Sequence, residues 1–316
     1  MTGLNSNKLP GSFPAAVWAV GGGKGGIGKS FISSSLAICL ARMGKSVTLV
    51  DLDLGSANLH TCLGVKIPQA TLSDFITGKI TNLEEVAAPT EIPGLSLISG
   101  FNDSLDIADT SFEARQNLIK CVHDLPSQFV VLDLGAGTSE STLDFFLAAD
   151  QKIVAVTPEP TSIENAYRFL KSSFYRRLRA AETELGIQNQ IEAAMDPRNR
   201  HGIRSPADLM NYLMQNDPKL GLRLHSKLNS FNPQFLLNQV RTKQDIELGH
   251  SIRSVYRKYF GVDAGFLGYV DHDNAVWQSL RKRRAAIIEF PYSSVSGQFF
   301  AVTKNLLNPH SLRAVI

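Results

Sequence analysis

A ten-residue segment near the amino terminus constrains the fold more than any other part of the chain. Residues 21–30 read GGGKGGIGKS, and six of the ten are glycines. An apolar, β-prone run at 15–20 precedes the segment, and a helical pattern at 31–42 follows it. Because glycine allows tight turns and close backbone approach, the sequence predicts a tight loop that joins a buried strand to a helix.

The second half of this segment indicates a phosphate-binding loop. Residues 23–30 match the pattern GxxxxGK(S/T) in full, in the strand–loop–helix context that the pattern requires. Backbone N–H groups of such a loop point inward around phosphates, and the helix amino terminus adds a favourable dipole. We expect Lys29 to reach the β- and γ-phosphates and Ser30 to bind Mg²⁺ through its hydroxyl. A glycine-rich turn without a ligand would need neither the Lys-Ser pair nor so many glycines.

Acidic residues end two of the other apolar runs. Asp51 and Asp53 follow one run, and Asp133 follows another. In open α/β sheets, ligands bind at the carboxyl ends of the strands. We therefore predict that Asp133 and Asp51 hold Mg²⁺ through its water shell and that Asp53 orients the attacking water. A single acid at a strand end is often only a turn former, but three acids beside a complete phosphate loop favour a metal and water site.

Apolar runs alternate with helical patterns along the chain, which is typical of an α/β protein with a doubly wound, mainly parallel sheet and helices on both faces. The predicted strands are residues 15–20, 46–50, 95–98, 129–132, 153–156, 235–240 and 266–270. The main predicted helices are residues 31–42, 111–123 and 162–185.

The sequence pattern predicts one domain with a short lead and one insertion. Residues 1–14 are polar and interrupted by Pro10, Gly11 and Pro14, so we expect a flexible lead, and residues 15–310 read as a single domain. Four Xaa-Pro pairs punctuate residues 188–232, which we interpret as an insertion with two short helical segments. Residues 297–316 are expected to form a final core-packing helix.

Composition excludes several classes of protein. There is no apolar run of membrane-spanning length and no secretory signal, so the cytoplasm is the expected location. The three cysteines lie far apart without a CxxC pair, which argues against disulfides, a zinc site or an iron–sulfur cluster. The net charge of +3 does not by itself imply nucleic-acid binding. Basic clusters at 176–179, 198–204 and 281–284 keep DNA open as a partner.

The motifs resemble those of the deviant Walker A ATPases, the MinD/ParA family, and of its MinD and FlhG branch in particular. Residues 24–30, KGGIGKS, carry the second lysine that marks the family, and residues 51–59 resemble its switch I segment DxDxGxxNL. Residues 132–137, 157–162 and 237–241 are similar to its switch II segment, its TPE(P)TS loop and its adenine-side strand end. Here the switch II order is Gly-Ala-Gly where the family has DxxAG.

The resemblance implies a P-loop NTPase of the SIMIBI class that binds ATP and Mg²⁺ and forms a homodimer around ATP. It assigns Lys24, Lys29 and Asp53 to catalysis, with Lys24 crossing to the phosphates of the partner subunit. The implied nucleotide-binding residues are Gly23, Lys24, Gly25, Gly26, Ile27, Gly28, Lys29, Ser30, Phe31 and Asn238, with Asn238 at the base. The implied metal residues are Ser30, Asp51 and Asp133.

The resemblance also implies a biological role, an ATP-switched ATPase that positions a flagellum, division site, chromosome or polar complex and is activated by a protein partner. Residues 297–316 lack the basic flanks of a membrane-targeting helix, so a membrane is the less favoured surface, with a pole or the nucleoid as alternatives. A ParA-like DNA-binding ATPase, a regulatory scaffold without hydrolysis and a small-molecule ligase of the dethiobiotin synthetase type remain open alternatives.

Overall fold

Eight strands form one sheet in the computed structural model, which describes residues 14–53, 57–66, 68–100, 111–195 and 203–308. The strands are β1 (Ala16–Gly21), β2 (Val47–Leu52), β3 (Ala88–Pro89), β4 (Leu95–Ile98), β5 (Phe129–Leu134), β6 (Gln151–Val156), β7 (Pro233–Val240) and β8 (Gly265–Asp271). Their order across the sheet is β3-β4-β2-β5-β1-β6-β7-β8. Every pair is parallel except β3 with β4. The carboxyl ends of the parallel strands therefore share one edge of the sheet.

Helices cover both faces of this sheet. They are α1 (Lys29–Arg42), α2 (Leu59–Leu63), α3 (Leu72–Ile76), α4 (Phe112–His123), α5 (Glu140–Ala148), α6 (Pro160–Leu185), α7 (Gln188–Met195), α8 (Pro206–Asn216), α9 (Pro218–Asn229), α10 (Lys243–Phe260), α11 (Asn274–Arg281), α12 (Ala286–Glu289) and α13 (Ser294–Leu307), with a 3₁₀ turn at Leu83–Val86.

The core has two layers, one on each face of the sheet, and successive side chains of the central strand β1 point alternately into them. In β1, Val17 and Ala19 belong to one buried cluster, whereas Trp18 and Val20 belong to the other. Successive side chains of a strand point to opposite faces, so an unbroken apolar strand must be covered on both sides. Helices α4, α5, α6 and α10 contribute to the first cluster, and α1 and α13 contribute to the second.

The predicted architecture is confirmed, with two differences. All seven predicted strands are present, and α13 packs in the core through residues such as Phe299, as expected for the final helix. The antiparallel strand β3 was missed, because two residues at a sheet edge leave no periodic pattern. The prediction of two short helices at 188–232 was wrong: the segment holds α7, α8 and α9.

The domain boundaries at 15 and 310 and the status of 188–232 as an insertion stay predictions. Residues 1–13 of the lead and the chain after Asn308 lie outside the described residues. Within the described ranges, no helix combines the length and apolar character needed to cross a bilayer.

Candidate functional site

The glycine-rich segment forms a loop between β1 and the first turn of α1. Gly26 and Gly28 adopt left-handed backbone angles, with φ of 78° and 91°. Gly28 is also the N-cap of α1, so no side chain caps the first N–H groups of the helix. Uncapped N–H groups at a helix amino terminus are available to an anion, so this loop has the geometry that phosphate binding requires.

The base of the loop is packed tightly, whereas its tip is open. A Cβ atom on Gly23 would lie 2.0 Å from the backbone oxygen of Asn165 in α6. A Cβ atom on Gly28 would lie 2.4 Å from Nδ2 of Asn238, while one on Gly25 would meet nothing within 4 Å. Glycine is thus required at the base by the approach of α6 and β7. At the tip, the same residue type leaves room for a ligand.

Asn238 holds the loop from β7. It is buried, and its Nδ2 donates a 2.8 Å hydrogen bond to the backbone oxygen of Ile27. The amide was expected at a nucleotide base, and in this structure one of its two N–H donors is engaged by the loop itself. The assignment of Asn238 to base recognition therefore stays a prediction.

Lys29 is buried among acidic groups beneath the loop. Its side chain belongs to a residue only 7% exposed, and its Nζ lies 3.5 Å from the backbone oxygen of Lys24. Burial lowers the pKa of Lys29, and the negative charges of Asp133 and Asp53 act in the opposite direction. An anion bound in the loop would offset the cost of burying this ammonium, which suits a lysine that contacts phosphate.

Asp51 and Asp133 stand side by side at the edge of the sheet. The register of β2 against β5 pairs the two residues directly, and β1 places Val20 beside Asp133. Both acids are 1% exposed. Burial, with repulsion from Asp133, raises the pKa of Asp51 to about 7. Burial raises the pKa of Asp133 to about 6, although hydrogen bonds from Ser30 and Ser33 act against the rise.

This acidic pair fits a Mg²⁺ site of the kind that uses few protein ligands. Among the described residues, Oδ1 of Asp133 has no hydrogen-bond partner although it is buried, and a buried acceptor without a donor is costly. No cluster of three or more His, Cys, Asp or Glu side chains suited to a metal occurs in the described part of the chain. Mg²⁺ usually keeps several waters and takes one or two carboxylates together with substrate phosphates, which Asp133 and the Ser30 hydroxyl beside it can satisfy.

Asp51 also stabilises the fold by accepting two hydrogen bonds from the backbone. Its Oδ1 accepts from the backbone N–H of Asp53 at 3.2 Å, and its Oδ2 accepts from that of Leu59 at 3.1 Å. These two bonds bracket residues 54–56, which lie outside the described residues. Asp51 thus fixes both ends of the segment that resembles switch I and thereby positions Asp53.

Asp53 faces the loop that follows β5. A Cβ atom on Gly135 would lie 3.4 Å from Oδ1 of Asp53, so glycine at this position leaves the carboxylate its space. The charge of Asp53 also acts on Lys29, Asp51 and Asp133. The structure therefore brings the predicted phosphate lysine and the three predicted acids into one electrostatic cluster.

Lys24 makes its side-chain contacts with a different part of the chain. Its Nζ lies 3.2 Å from Oγ1 of Thr161 and 3.5 Å from Oε2 of Glu159, and 42% of its side chain is exposed. Both contacts belong to the segment before and at the start of α6. Sequence reasoning singled out this segment as a family loop but did not assign its residues to the site.

A cavity of about 270 Å³ adjoins the loop on the side of β7 and β8. Gly28, Phe31 and Asn238 line it from the predicted site, and His272 and Trp277 line it from the chain after β8. Asp271, at the end of β8, also lines the cavity. None of these three residues was predicted as a site residue, although Asp271 ends an apolar run just as Asp51 and Asp133 do. That signal could have identified them.

The basic run at 281–284 is largely engaged within the chain. Arg281 lies over the ring of Trp277, with 4.8 Å between its guanidinium carbon and the ring centroid. Lys282 and Arg284 both form ion pairs with Glu289, at 2.6 and 3.1 Å. DNA binding by this run stays a prediction. Arg198 and Arg200, from another cluster, lie outside the described residues.

Proteins similar to this chain are known. The antiactivator FleN of Pseudomonas aeruginosa is 29% identical over 295 residues, which cover 93% of this chain and 86% of that protein. The flagellum site-determining protein YlxH of Helicobacter pylori is 36% identical over 155 residues, which cover 48% of this chain and 52% of that protein. Among solved structures, this chain resembles the septum site-determining protein MinD of Pyrococcus horikoshii, complexed with Mg-ADP. The two superpose with a TM-score of 0.64 at 19% identity, and the match covers 96% of this chain and 100% of that one.

The fold and the family resemblance agree. The structural match to MinD confirms the predicted fold. The profile of the CobQ/CobB/MinD/ParA nucleotide binding domain matches residues 18–283. The chain therefore belongs to the CobQ/CobB/MinD/ParA family of nucleotide-binding domains.

Proposed function

We propose that this protein is a Mg²⁺-dependent ATPase that dimerises around ATP and acts as a switch in placing a structure within the cell. The observation that carries the proposal is the contrast between the two lysines of one loop. Lys29 is buried beside Asp53 and Asp133, whereas the side chain of Lys24 is 42% exposed and is held at the surface by Glu159 and Thr161. The buried cation suits the protein's own nucleotide, and the other, held by weak exposed contacts, can turn towards a second subunit.

The proposal assigns the following roles to the loop and to the charged residues of the site. Lys29 and the N–H groups of residues 23–31 bind the phosphates, and Asp53 orients the water that attacks the γ-phosphate. Lys24 of each subunit stabilises the charge that spreads over the phosphoryl group of the other, as an arginine finger does. Mg²⁺, held by Ser30 and Asp133 with Asp51 behind them, would neutralise charge on the β- and γ-phosphates.

The names of relatives support a positioning role. YlxH is called a flagellum site-determining protein, and the MinD of Pyrococcus horikoshii is called a septum site-determining protein. We infer that the ATP-bound dimer of this chain binds a partner or surface at such a site and that hydrolysis releases it. We also expect slow hydrolysis by the purified protein alone, because a partner completes the active geometry.

Size-exclusion chromatography with Mg²⁺ and ATP tests the switch. Lys24→Ala should bind ATP through Lys29 but remain monomeric. Asp53→Ala should bind ATP and accumulate as a dimer that does not turn over, because the water is no longer oriented and a like charge near the γ-phosphate is removed. Lys29→Ala should lose nucleotide binding, because it removes the principal phosphate cation.

Matched controls are Lys120→Ala on the exposed face of α4 and Asp263→Ala in an exposed ion pair. Both should elute and hydrolyse ATP as the wild type does. A monomeric Asp53→Ala together with normal dimerisation of Lys24→Ala would refute the proposed dimer mechanism. Undiminished ATP affinity in Lys29→Ala would refute the assignment of the nucleotide site.

The positioning role has its own test. A tagged Asp53→Ala protein, held in the ATP state, should concentrate at one place in the cell, whereas Lys24→Ala should be diffuse. A diffuse pattern for both would contradict positioning while leaving the ATPase assignment intact. Localisation on the nucleoid would favour the DNA-binding alternative.

A further inference from the structure

A larger cavity, of about 610 Å³, lies away from the nucleotide site among α4, α5, α6 and the start of β6. It shares no lining residue with the phosphate loop or with the cavity beside it. The side chains that decide its character are Phe112, Asp144, Lys152, Arg176, Arg177 and Phe231. Volumes of this size are typical of small-molecule sites.

Lys152 occupies a core position of β6. Alternate residues of this strand, Val154 and Val156, point into one apolar cluster, and the period of a strand places Lys152 on the same face. The residue is 8% exposed, and its Nζ donates to the backbone oxygen of Ala149 at 2.6 Å. An ammonium has three N–H donors, so two remain for a group in the cavity.

A buried ammonium is costly unless it meets an anion. Burial lowers the pKa of Lys152 to about 8; the charge of Asp150 opposes this change and that of Arg177 adds to it. Asp150 is committed elsewhere, because its Oδ2 accepts from the backbone N–H of Val17 at 2.8 Å. In the described residues, no carboxylate forms an ion pair with Lys152.

Asp144, a carboxylate in the cavity wall, is already neutralised. Asp144 accepts from Arg176 at 2.6 and 2.9 Å, and from Arg115 at 3.1 Å. Arg176 also lies 3.7 Å from Glu140, which Arg115 contacts at 3.0 Å. Asp144 thus repels an incoming anion only weakly.

Arg177 adds a third cation to the wall. Its Nη2 lies 3.3 Å from the backbone oxygen of Lys227 and 3.5 Å from Oγ of Ser230, and its Nη1 lies 3.6 Å from Glu184. Glu184 also pairs with Lys227. These contacts orient the guanidinium without providing a strong anionic partner of its own.

Apolar surface completes the cavity. Phe112 is 57% exposed at its edge, although a large aromatic side chain usually favours burial. Phe231, by contrast, is a fully buried part of the wall. The cavity therefore offers both cations and apolar surface.

We propose that this cavity is a second ligand site, which binds a small organic anion with an aromatic or apolar body. The anionic group, a phosphate, sulfonate or carboxylate, accepts hydrogen bonds from Lys152 and Arg177. The apolar body lies against Phe112, Ile119 and Leu147. The site is independent of the proposed ATPase activity.

The test compares two fluorescent probes that share a ring system and differ in charge. Anilinonaphthalene sulfonate is the anion, and phenylnaphthylamine is its neutral counterpart. The sulfonate should bind the intact protein saturably at one site in the presence of saturating Mg-ADP, and at least about tenfold more tightly than the neutral probe, the ratio expected from a charge-assisted hydrogen bond.

Lys152→Met removes the charge while retaining length and apolar character. It should weaken sulfonate binding about tenfold and leave the neutral probe unaffected, whereas Lys171→Met on the exposed face of α6 should change neither. Phe112→Ala should weaken both probes. Wild-type affinity for the sulfonate should also fall above about pH 8, because Lys152 loses its proton there. The other charged groups near Lys152 are Arg176, Arg177, Asp144 and Asp150.

Three results would overturn the proposal: no saturable binding of the sulfonate at millimolar concentration, equal binding of the two probes, or displacement of the sulfonate by Mg-ADP. Unchanged sulfonate affinity in a folded Lys152→Met protein would overturn it as well. Normal ATP-dependent dimerisation of the Lys152→Met protein would show that the proposed ATPase function does not depend on this second ligand site.

Discussion

Asp133→Asn is expected to stabilise the apo protein while abolishing its response to Mg²⁺. Asp133 is buried next to Asp51 and retains an acceptor oxygen without a donor in the described structure. Its pKa rises from 3.8 to about 6 on folding. At about 1.4 kcal/mol per pH unit, the ionised form costs roughly 3 kcal/mol of folding free energy.

The sign of the pH dependence follows from the raised pKa. The native state holds the Asp133 proton more tightly than the unfolded state, so its favourable contribution is fully present below about pH 4 and is lost as pH rises through about 6. Asp51, with its pKa raised to about 7, changes stability in the same direction. Wild-type apo protein should therefore be more stable at mildly acidic than at mildly alkaline pH.

Urea unfolding followed by circular dichroism measures the effect. In EDTA at about pH 8, Asp133→Asn should unfold with a free energy about 2 to 3 kcal/mol greater than that of the wild type, because asparagine carries no charge to desolvate. Its stability should also vary less with pH. Mg²⁺ should raise stability in the presence of ADP for the wild type and not for the variant.

Asp263→Asn is the matched control, because it makes the same chemical change in an exposed ion pair and should alter stability by no more than about 0.5 kcal/mol. If Asp133→Asn were less stable than the wild type at alkaline pH, with an unchanged spectrum, the account of a strained acidic pair would be refuted. An unaltered pH dependence would refute it too.

Three further changes test other contacts. Gly23→Ala should lower the melting temperature of the apo protein, because its Cβ would lie 2.0 Å from the Asn165 backbone oxygen. Gly25→Ala, where the added Cβ meets nothing, should leave the melting temperature unchanged. Equal effects of the two changes would contradict the tight packing at the base of the loop. Glu159→Gln should lower the ATP concentration needed for dimerisation, measured by light scattering, by no more than a few fold, because it releases Lys24 from an exposed contact. A higher ATP concentration needed by the variant would mean that the contact assists the dimer. Lys152→Met should raise the free energy of unfolding at neutral pH, because it removes a buried positive charge. The gain should shrink as pH rises from about 8 towards 10.5, because burial lowers the Lys152 pKa and the cost of burying the charge disappears when the wild-type lysine loses its proton. A loss of stability would contradict a costly buried cation.

Local patterns in the sequence were enough to predict a phosphate loop and to place most of the fold. Glycines, a lysine and a serine at fixed spacing identify residues 23–30, because this chemistry is written in consecutive residues. Apolar runs identified seven strands, since a strand buried on both faces must be continuously apolar. Asp51 and Asp133 could be placed at one edge because parallel strands end together.

Tertiary structure alone decided the contacts between residues far apart in sequence. The pairing of Asp51 with Asp133, the bond from Asn238 to Ile27 and the approach of Lys24 to Glu159 depend on strand register and helix position. No local pattern encodes these quantities, since they are set by packing over the whole sheet.

The same limit applies to the second cavity. In the sequence, Lys152 is one basic residue at the start of an apolar run, and nothing distinguishes it from a solvated lysine. Its burial and its single backbone partner arise only when β6 is enclosed by α4, α5 and α6. The sequence by itself predicted a phosphate-binding loop, and the tertiary structure decided which charges of the described residues meet, because charge pairing depends on distances in space.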